Sequence, residues 1–434
     1  MSQASRRAPE ESPPPLARHG RLRRSSVTRA IFKLIGITTA VALVSMGSIA
    51  AIAAWDLTRQ IDTVDISADV AGPIPEIGAY SGGFNMLLVG SDSRADSVYS
   101  YGEDDGTELN DVNILLHVSD DHSNAVAISF PRDLQVPIPE CSDGDGGTNG
   151  PAYSEKLNTA LMTGGGLEKD GLSCVVETIS DLTGLSIPFA ASVTFDGVIE
   201  MSNAIGGVDV CIATHLQDEN TELDLLPGTH TLQGVDALKF LRTRHGVGTG
   251  SDLTRISSQQ VFLSSLVRKV KSSGTLSDIS KMYGLAGAAV RNMKFSSSLN
   301  SIDQLVSIAR ALQPIDLANI VFVQYPSTDE GNDLVPIEYS AQVLMDAISA
   351  DQPVIVQPPA DDEVTGSVAD PNAAQAEQLA PEVPEESTAP VDGEDAAVET
   401  EPTPDAAVTL PEGVKGQSAA ETRCTVGLTL DEQG

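Results

Sequence analysis

The chain has 434 residues, 41% of them hydrophobic and 4% aromatic, and a formal net charge of −35 at pH 7. This length predicts two to three domains, and the hydrophobic content is sufficient for a sizeable core. So negative a chain is repelled by a phosphate backbone, which excludes nucleic acid as an expected partner.

The first 55 residues have the pattern of a membrane anchor. Residues 1–33 are rich in Pro, Arg and Ser and carry eight basic against two acidic residues, a flank of +6 that we expect to be disordered. Leu34–Trp55 follows with 22 uncharged residues, long enough to cross a bilayer. A cleaved signal peptide is the alternative, with small residues near Ala51–Ala54. The basic flank predicts a single-pass membrane protein with a cytoplasmic N-terminus and an exported remainder.

The remainder divides by composition into three parts. Residues 56–83 contain Gly72, Pro73 and Pro75 and are predicted to form a stalk. Residues 84–350 have the patterns of a folded domain. Residues 351–434 contain 19 acids, two bases and no aromatic residue, a composition that predicts a disordered tail.

The four cysteines predict disulfides rather than a zinc site, because no CxxC spacing is present and the chain is predicted to be exported. We expect Cys141 to pair with Cys174, which closes a local loop. Cys211 is expected to pair with Cys424, which joins the tail to the domain. A free or intermolecular thiol at Cys424 is the alternative.

Strand and helix patterns alternate through the domain. Apolar runs at Asn85–Val89, Val112–Val118 and Ala125–Phe130 predict buried strands. Helical spacing of the apolar residues in Ser173–Leu182 predicts a helix that ends at Gly184. The alternation predicts an α/β layered domain.

Charged residues follow several of these apolar runs and suggest one site, because ligands of open α/β sheets bind beyond strand ends. Ser251 or Asp252 is expected to begin a helix on which Asp252, Arg255 and Gln259 form one polar stripe. Arginine binds phosphate bidentately, and paired carboxylates can hold Mg²⁺. The candidate residues are Asp92, Arg94, Asp111, Arg132, Asp133, Arg242, Arg244, Asp252, Arg255 and Gln259.

Other catalytic motifs are missing from the sequence. GVGTGSD lacks the GK[ST] of a P-loop, and neither GxSxG nor HExxH occurs. His245 is the one histidine with a suggestive position, beside Arg242 and Arg244. The residue chemistry therefore predicts a phosphorylated, membrane-borne substrate.

Seven segments of the sequence have a recognisable joint pattern: LLVGSDSR (Leu87–Arg94), DVNILLHVS (Asp111–Ser119), ISFPRDLQVPIP (Ile128–Pro139), KLNTAL (Lys156–Leu161), AIGGVDV (Ala204–Val210), LQGVDALKFLRTRH (Leu232–His245) and SDLTRISSQQ (Ser251–Gln260). In content and order they resemble the LytR–CpsA–Psr family of cell-wall glycopolymer ligases. The tail, with a cysteine near the end, resembles actinobacterial members. The resemblance implies a mixed sheet between helices, with a hydrophobic groove for a polyprenyl chain.

The resemblance also implies an activity on the extracellular side of the cell membrane: transfer of a glycan phosphate from polyprenyl pyrophosphate to a peptidoglycan hydroxyl. Asp92 and Asp111 would hold Mg²⁺. Asp133 and Asp252 would orient the arginines, although Asp252 could instead help deprotonate the acceptor. The residues around the pyrophosphate would be Arg94, Arg132, Arg242, Arg244, Arg255 and Gln259.

Three other functions remain open on the sequence alone. A polyprenyl-pyrophosphate phosphatase would use the same residues with water as the acceptor. A non-catalytic wall-binding or lipid-binding protein would not need the whole charged set. A transcriptional attenuator is opposed by the predicted export and by the lack of a basic helix-turn-helix.

Overall fold

The computed structural model describes residues 31–41, 44–45, 48, 63–66, 82–93, 106–272, 274, 278–330, 333–357, 366–371 and 407–433. The chain separates into two units, Met1–Asp56 and Leu57–Gly434. In the first unit, residues 31–41 are helical. Within the described residues, no helix is both long enough and apolar enough to span a membrane. Much of the predicted anchor Leu34–Trp55 lies outside the described residues, so the anchor stays a prediction.

The second unit contains all the named strands. From the N-terminus these are β1 (Thr63–Val64), β2 (Phe84–Ser91), β3 (Asn110–Val118), β4 (Ala125–Phe130), β5 (Gln135–Ile138), β6 (Cys141–Ser142), β7 (Thr148–Asn149), β8 (Ala152–Lys156), β9 (Phe189–Val193), β10 (Val208–Ile212) and β11 (Leu216–Asp218). The later strands are β12 (Leu223–Leu225), β13 (Gly228–Leu232), β14 (Met293–Ser296), β15 (Ile320–Gln324), β16 (Ser327–Glu330), β17 (Asp333–Pro336), β18 (Val354–Ile355), β19 (Ser367–Ala369), β20 (Val408–Thr409), β21 (Gly416–Ser418) and β22 (Arg423–Thr425).

The helices of this unit fall between these strands. They are α1 (Ala160–Thr163), α2 (Gly171–Thr183), α3 (Phe195–Ala204), α4 (Val235–Arg242), α5 (Asp252–Ser272), α6 (Ile279–Asn292), α7 (Ile302–Ala311) and α8 (Glu338–Ser349). The helix predicted at Ser173–Leu182 is confirmed as α2. It ends at Gly184, whose φ of 70° is readily adopted by glycine.

The central sheet has eight strands in the order β1-β14-β9-β2-β3-β4-β15-β21. The pairs β1/β14, β2/β9 and β4/β15 are parallel, and the others are antiparallel, which confirms the mixed sheet. β1 lies within the predicted stalk, so the folded domain begins before residue 84.

Helices cover both faces of this sheet, so its central strands are buried on both sides. Leu87 and Val89 of β2 belong to a core cluster shared with α2 and α8. Phe84, on the same strand, belongs to a second cluster shared with α6 and α7. The period of two along β2 therefore supplies both cores, and the domain is an α/β/α layered structure.

The described part of the tail is folded onto this domain. β21 pairs with β15 at the edge of the central sheet. β19 and β22 join β10 and β13 in a second, four-stranded sheet, and β20 pairs with β18. The prediction of disorder is therefore wrong for residues 351–357, 366–371 and 407–433; the other tail residues lie outside the described ranges.

Both predicted disulfides are confirmed. Cys141 is bonded to Cys174, 33 residues further along the chain. Cys211 is bonded to Cys424 across 213 residues, and the two cysteines are register partners of the parallel strands β10 and β22. The second bridge therefore fixes the tail in the second sheet.

Candidate functional site

An amphipathic cavity of about 540 Å³ opens on the α6 side of the central sheet, beside α3, α4 and α5. Its walls are mainly apolar and include Leu88, Val198, Leu238, Leu241, Phe262 and Leu285. Its polar residues include Asp111, Arg132, Arg242, Arg244, Arg255 and Gln259. The cavity therefore suits a ligand with an anionic group and an apolar chain.

Strand pairing brings Asp111 and Arg132 together. In the antiparallel pair β3/β4, Asn113 is the register partner of Phe130. Continuing this register by two residues places Asp111 opposite Arg132, just beyond the end of β4. The Arg132 Nη1 atom lies 2.6 Å from Asp111 Oδ1, so the predicted convergence of these two strand ends is observed.

Arg132 is surrounded by carboxylates. Burial acts to lower the pKa of its guanidinium, but the charges of Asp111, Asp133 and Asp252 outweigh burial and raise this pKa. Arg132 Nε lies 3.7 Å from Asp133 Oδ2. Arg132 is therefore a permanent cation in a preset position at the polar end of the cavity.

The polar stripe on α5 forms as predicted. Asp252 begins this helix, and its Oδ1 lies 2.6 Å from Arg255 Nη2, although the angles do not make this ion pair a hydrogen bond. Asp252 Oδ2 accepts the Arg132 backbone N–H at 3.1 Å. Arg255 Nη2 also donates to the Asp111 carbonyl at 3.0 Å. Gln259 Nε2 donates to the Leu241 carbonyl at 2.9 Å.

Asp252 thus connects Arg132 to Arg255. It is 4% exposed and is not among the described residues that line the cavity. This position favours the orienting role over the deprotonation of an acceptor.

Two more arginines reach the cavity from the end of α4 and the loop after it. The Arg242 guanidinium lies over the Phe195 ring, 4.3 Å from its centroid, in a cation–π contact. Arg244 Nε donates to the Gly250 carbonyl at 3.2 Å. His245, the histidine singled out in the sequence, is exposed and also lines the cavity.

Asp133 and Asp92 do not line the cavity, and Arg94 lies outside the residues that the structure describes. Asp133 accepts a hydrogen bond from Lys156 Nζ at 2.9 Å. Burial acts to raise the pKa of Asp133, but the Lys156 hydrogen bond and the charges of Arg132, Lys156 and Arg244 lower it overall. Asp92 Oδ1 accepts the Leu109 N–H at 2.8 Å.

Sequence reasoning missed Asp218, a buried cavity residue. Asp218 Oδ2 accepts the backbone N–H groups of Arg244, at 3.2 Å, and Gly246, at 3.3 Å. Asp218 Oδ1 accepts the N–H of Asn220 at 2.9 Å. These bonds go to backbone amides, which carry no sequence signal, so only a structure could assign Asp218 to the Arg244 loop.

The predicted metal ligands have suitable donor chemistry. Asp92 and Asp111 lie at adjoining ends of the paired strands β2 and β3. Mg²⁺ commonly takes one or two carboxylates and completes its shell with water and phosphate oxygens. Within the described ranges, the one group of three potential metal ligands is Cys211, Asp370 and Cys424, whose cysteines are bonded to each other. The assignment of Asp92 and Asp111 to Mg²⁺ stays a prediction.

The fold and the cavity together define a class: α/β/α proteins with a pocket that combines apolar walls and several arginines. The LytR_cpsA_psr family pattern matches residues 50–350, more than half of the chain. The chain belongs to the LytR–CpsA–Psr family.

Two curated relatives and one solved structure illustrate the similarity. The chain is 30% identical over 295 residues to the cell wall biosynthesis protein LcpA of Corynebacterium glutamicum, covering 61% of this chain and 55% of LcpA. It is 28% identical over 199 residues to the polyisoprenyl-teichoic acid–peptidoglycan teichoic acid transferase TagT of Bacillus subtilis, covering 44% of this chain and 54% of TagT. The chain thus spans about half the length of these relatives. A LytR-Csp2A-Psr enzyme from Actinomyces oris aligns with a TM-score of 0.47 at 19% identity, covering 66% of this chain and 95% of that one.

Proposed function

We propose that the protein is a phosphotransferase that moves a glycopolymer phosphate from a polyprenyl-pyrophosphate carrier to a peptidoglycan hydroxyl. The observation that carries this proposal is the amphipathic cavity, in which apolar walls adjoin Arg132, Arg242, Arg244 and Arg255. A polyprenyl chain would bind the apolar walls, and its pyrophosphate would bind the arginines. The name of TagT, which includes both a polyisoprenyl-linked donor and peptidoglycan, supports the same substrate classes.

The chemistry requires little covalent participation by the protein. The acceptor hydroxyl oxygen attacks the glycan-linked phosphorus and the anhydride bond breaks. The leaving polyprenyl phosphate keeps the bridging oxygen and takes up the proton that the hydroxyl loses. Negative charge that develops on the phosphate oxygens is stabilised by positioned arginines. Asp111 and Asp252 hold Arg132 and Arg255 in place before the substrate binds. Bound Mg²⁺, held by Asp92 and Asp111, would neutralise phosphate charge.

The proposed location is the outer face of the cell membrane, with a single anchor and a cytoplasmic N-terminus. The uncharged run Leu34–Trp55 behind a basic flank supports this topology. The two disulfides fit an oxidising compartment. Protease added to wall-stripped cells should digest the large domain, and its protection would contradict the topology.

The activity is tested with the full chain in detergent and a glycan donor linked to a polyprenyl pyrophosphate. Products are analysed with and without a peptidoglycan acceptor. We expect glycan phosphate on the acceptor and, without the acceptor, little release. Equal release of glycan phosphate without the acceptor would identify a pyrophosphatase instead. Arg310→Ala, an exposed change on α7, is the control for loss of an arginine outside the cavity.

A further inference from the structure

The tail runs beside the loop that follows Arg244. The Leu428 N–H donates to the Gly246 carbonyl at 2.8 Å, and the Gly248 N–H donates to the Val426 carbonyl at 3.0 Å. These two bonds form a short antiparallel pairing directly after the cavity residue Arg244. The backbone path of this loop is therefore fixed by the tail as well as by its own sequence.

The same tail residue also holds the strand that carries Asp218. The Gln217 N–H donates to the Leu428 carbonyl at 3.0 Å. The next residue, Asp218, accepts the backbone N–H groups of Arg244 and Gly246. Leu428 therefore lies between the two segments that position Arg244.

The contact between the tail and α5 is polar. Gln417 Nε2 donates to the Gln260 carbonyl at 3.1 Å and to Ser264 Oγ at 2.6 Å. Buried Gln260 Nε2 and Thr425 Oγ1 have no hydrogen-bond partner within the described part of the chain. Each of the hydrogen bonds at this contact contributes only about 1 kcal/mol net.

A covalent bond adds to these hydrogen bonds. β22 and β19 have three residues each, which is short for strands that must hold a tail in place. Cys424, in β22, is bonded to Cys211, in β10. The next strand after β10 is β11, which contains Gln217 and Asp218. The disulfide therefore keeps Val426 and Leu428 next to their partners at a high local concentration.

We propose that the C-terminal segment Arg423–Leu430 is a positioning element for Arg244 and that the Cys211–Cys424 disulfide keeps it in place. The proposal rests on the proposed function only for the catalytic role of Arg244. A dithiol reduces the Cys211–Cys424 disulfide to two thiols and is itself oxidised to a disulfide. This reduction releases the segment. The loop then loses the bonds at Gly246 and Gly248, and Arg244 loses its fixed position.

Hydrogen exchange on the full chain tests the structural part without any substrate. The test variant is Cys211→Ser/Cys424→Ser, and the matched control is Cys141→Ser/Cys174→Ser, which removes the other disulfide. We expect faster exchange at residues 246–250 in the test variant alone, with strand β4 protected in both. Unchanged exchange at residues 246–250 in the test variant overturns the proposal.

A kinetic cycle tests whether the segment acts through Arg244. We expect the test variant to lower kcat about 10- to 100-fold, since a displacement of about 1 Å at a catalytic group can cost about 100-fold. In an Arg244→Ala background, removing the disulfide should lower kcat less than twofold further. Equal losses in both backgrounds would show a general structural effect and overturn the proposal.

A second variant serves if the cysteine variant does not fold. A Cβ atom at Gly427 would lie 2.6 Å from Leu216 Cα, so Gly427→Val displaces the segment and leaves the disulfide intact. Gly150→Val is the control, because no described atom beyond its own residue and its chain neighbours lies within 4 Å of a Cβ there. We expect faster exchange at residues 246–250 only in Gly427→Val, and equal protection in the two variants overturns the proposal. Absence of transfer by the unmutated chain would refute the proposed function and leave these exchange results valid.

Discussion

The buried ion pair between Asp252 and Arg255 gives a prediction with a definite magnitude. Their side chains are 5% and 7% exposed, and Oδ1 and Nη2 lie 2.6 Å apart. Asp252→Ala removes this partner and the acceptor of the Arg132 N–H. Leaving a buried charge unpaired costs about 3–5 kcal/mol. That loss is large against a total stability of about 5–15 kcal/mol.

Asp252→Asn should cost less, about 2 kcal/mol, because an amide oxygen still accepts a hydrogen bond but carries no charge. The double variant Asp252→Ala/Arg255→Leu should be more stable than Asp252→Ala alone, since no unpaired guanidinium remains. The difference from additivity should be at least about 1 kcal/mol.

Urea unfolding of the full chain, followed by far-UV circular dichroism, measures these differences. Asp236→Ala is the matched control, because Asp236 is an exposed acid in the first turn of α4. Its loss should cost only about 0.3–1 kcal/mol from the helix dipole. If Asp252→Ala is destabilised no more than Asp236→Ala, the stabilising role assigned to the pair is wrong.

Three further predictions concern Arg132, the proposed metal ligands and the ion pair between Lys156 and Asp133. Arg132→Ala should lower transfer by roughly two to three orders of magnitude, and Arg132→Lys should recover only part of it because ammonium has no bidentate fork; full recovery by lysine would contradict this. Asp92→Ala and Asp111→Ala should each raise the Mg²⁺ concentration needed for half-maximal transfer, and an unchanged requirement would remove the metal assignment. Lys156 helps to lower the pKa of Asp133, and a lowered carboxyl pKa stabilises the fold at pH values above the unfolded pKa of about 3.9, so Lys156→Met should be less stable than the unmutated chain at pH 7. The difference in stability should shrink as the pH falls through the folded pKa of Asp133. A difference in urea midpoint that stays constant with pH would contradict this prediction.

The parts of the site that sequence predicts are those set by local periodicity and strand pairing. The stripe Asp252, Arg255 and Gln259 follows from helical spacing, and α5 presents it as expected. The meeting of Asp111 with Arg132 follows from two buried strands that end in charge. In both cases the signal is contained in short segments with strong apolar patterns.

The tail shows why the rest could not be predicted. Its composition is acidic and poor in aromatic residues, and its strands have two or three residues each, too short for a period to be detected. What fixes them is distant: the disulfide to Cys211 and the edge of β15. Neither a disulfide to a distant cysteine nor the pairing of a polar strand with a sheet edge produces a hydrophobic pattern in the local sequence. The composition of the tail therefore predicts disorder.

The way the arginines are held bears on the proposal that this acidic chain binds a pyrophosphate. Arg132 is paired with Asp111, Arg255 with Asp252, and Arg242 lies over Phe195. These partners hold each cation in position, so a pyrophosphate would meet donors that need no further ordering, which is the condition for strong electrostatic stabilisation. Asp111 has a double assignment, as partner of Arg132 and as proposed ligand of Mg²⁺. Under the proposed function, Asp111 would both orient Arg132 and help hold Mg²⁺, and the bound ion would supply further positive charge for the phosphate oxygens.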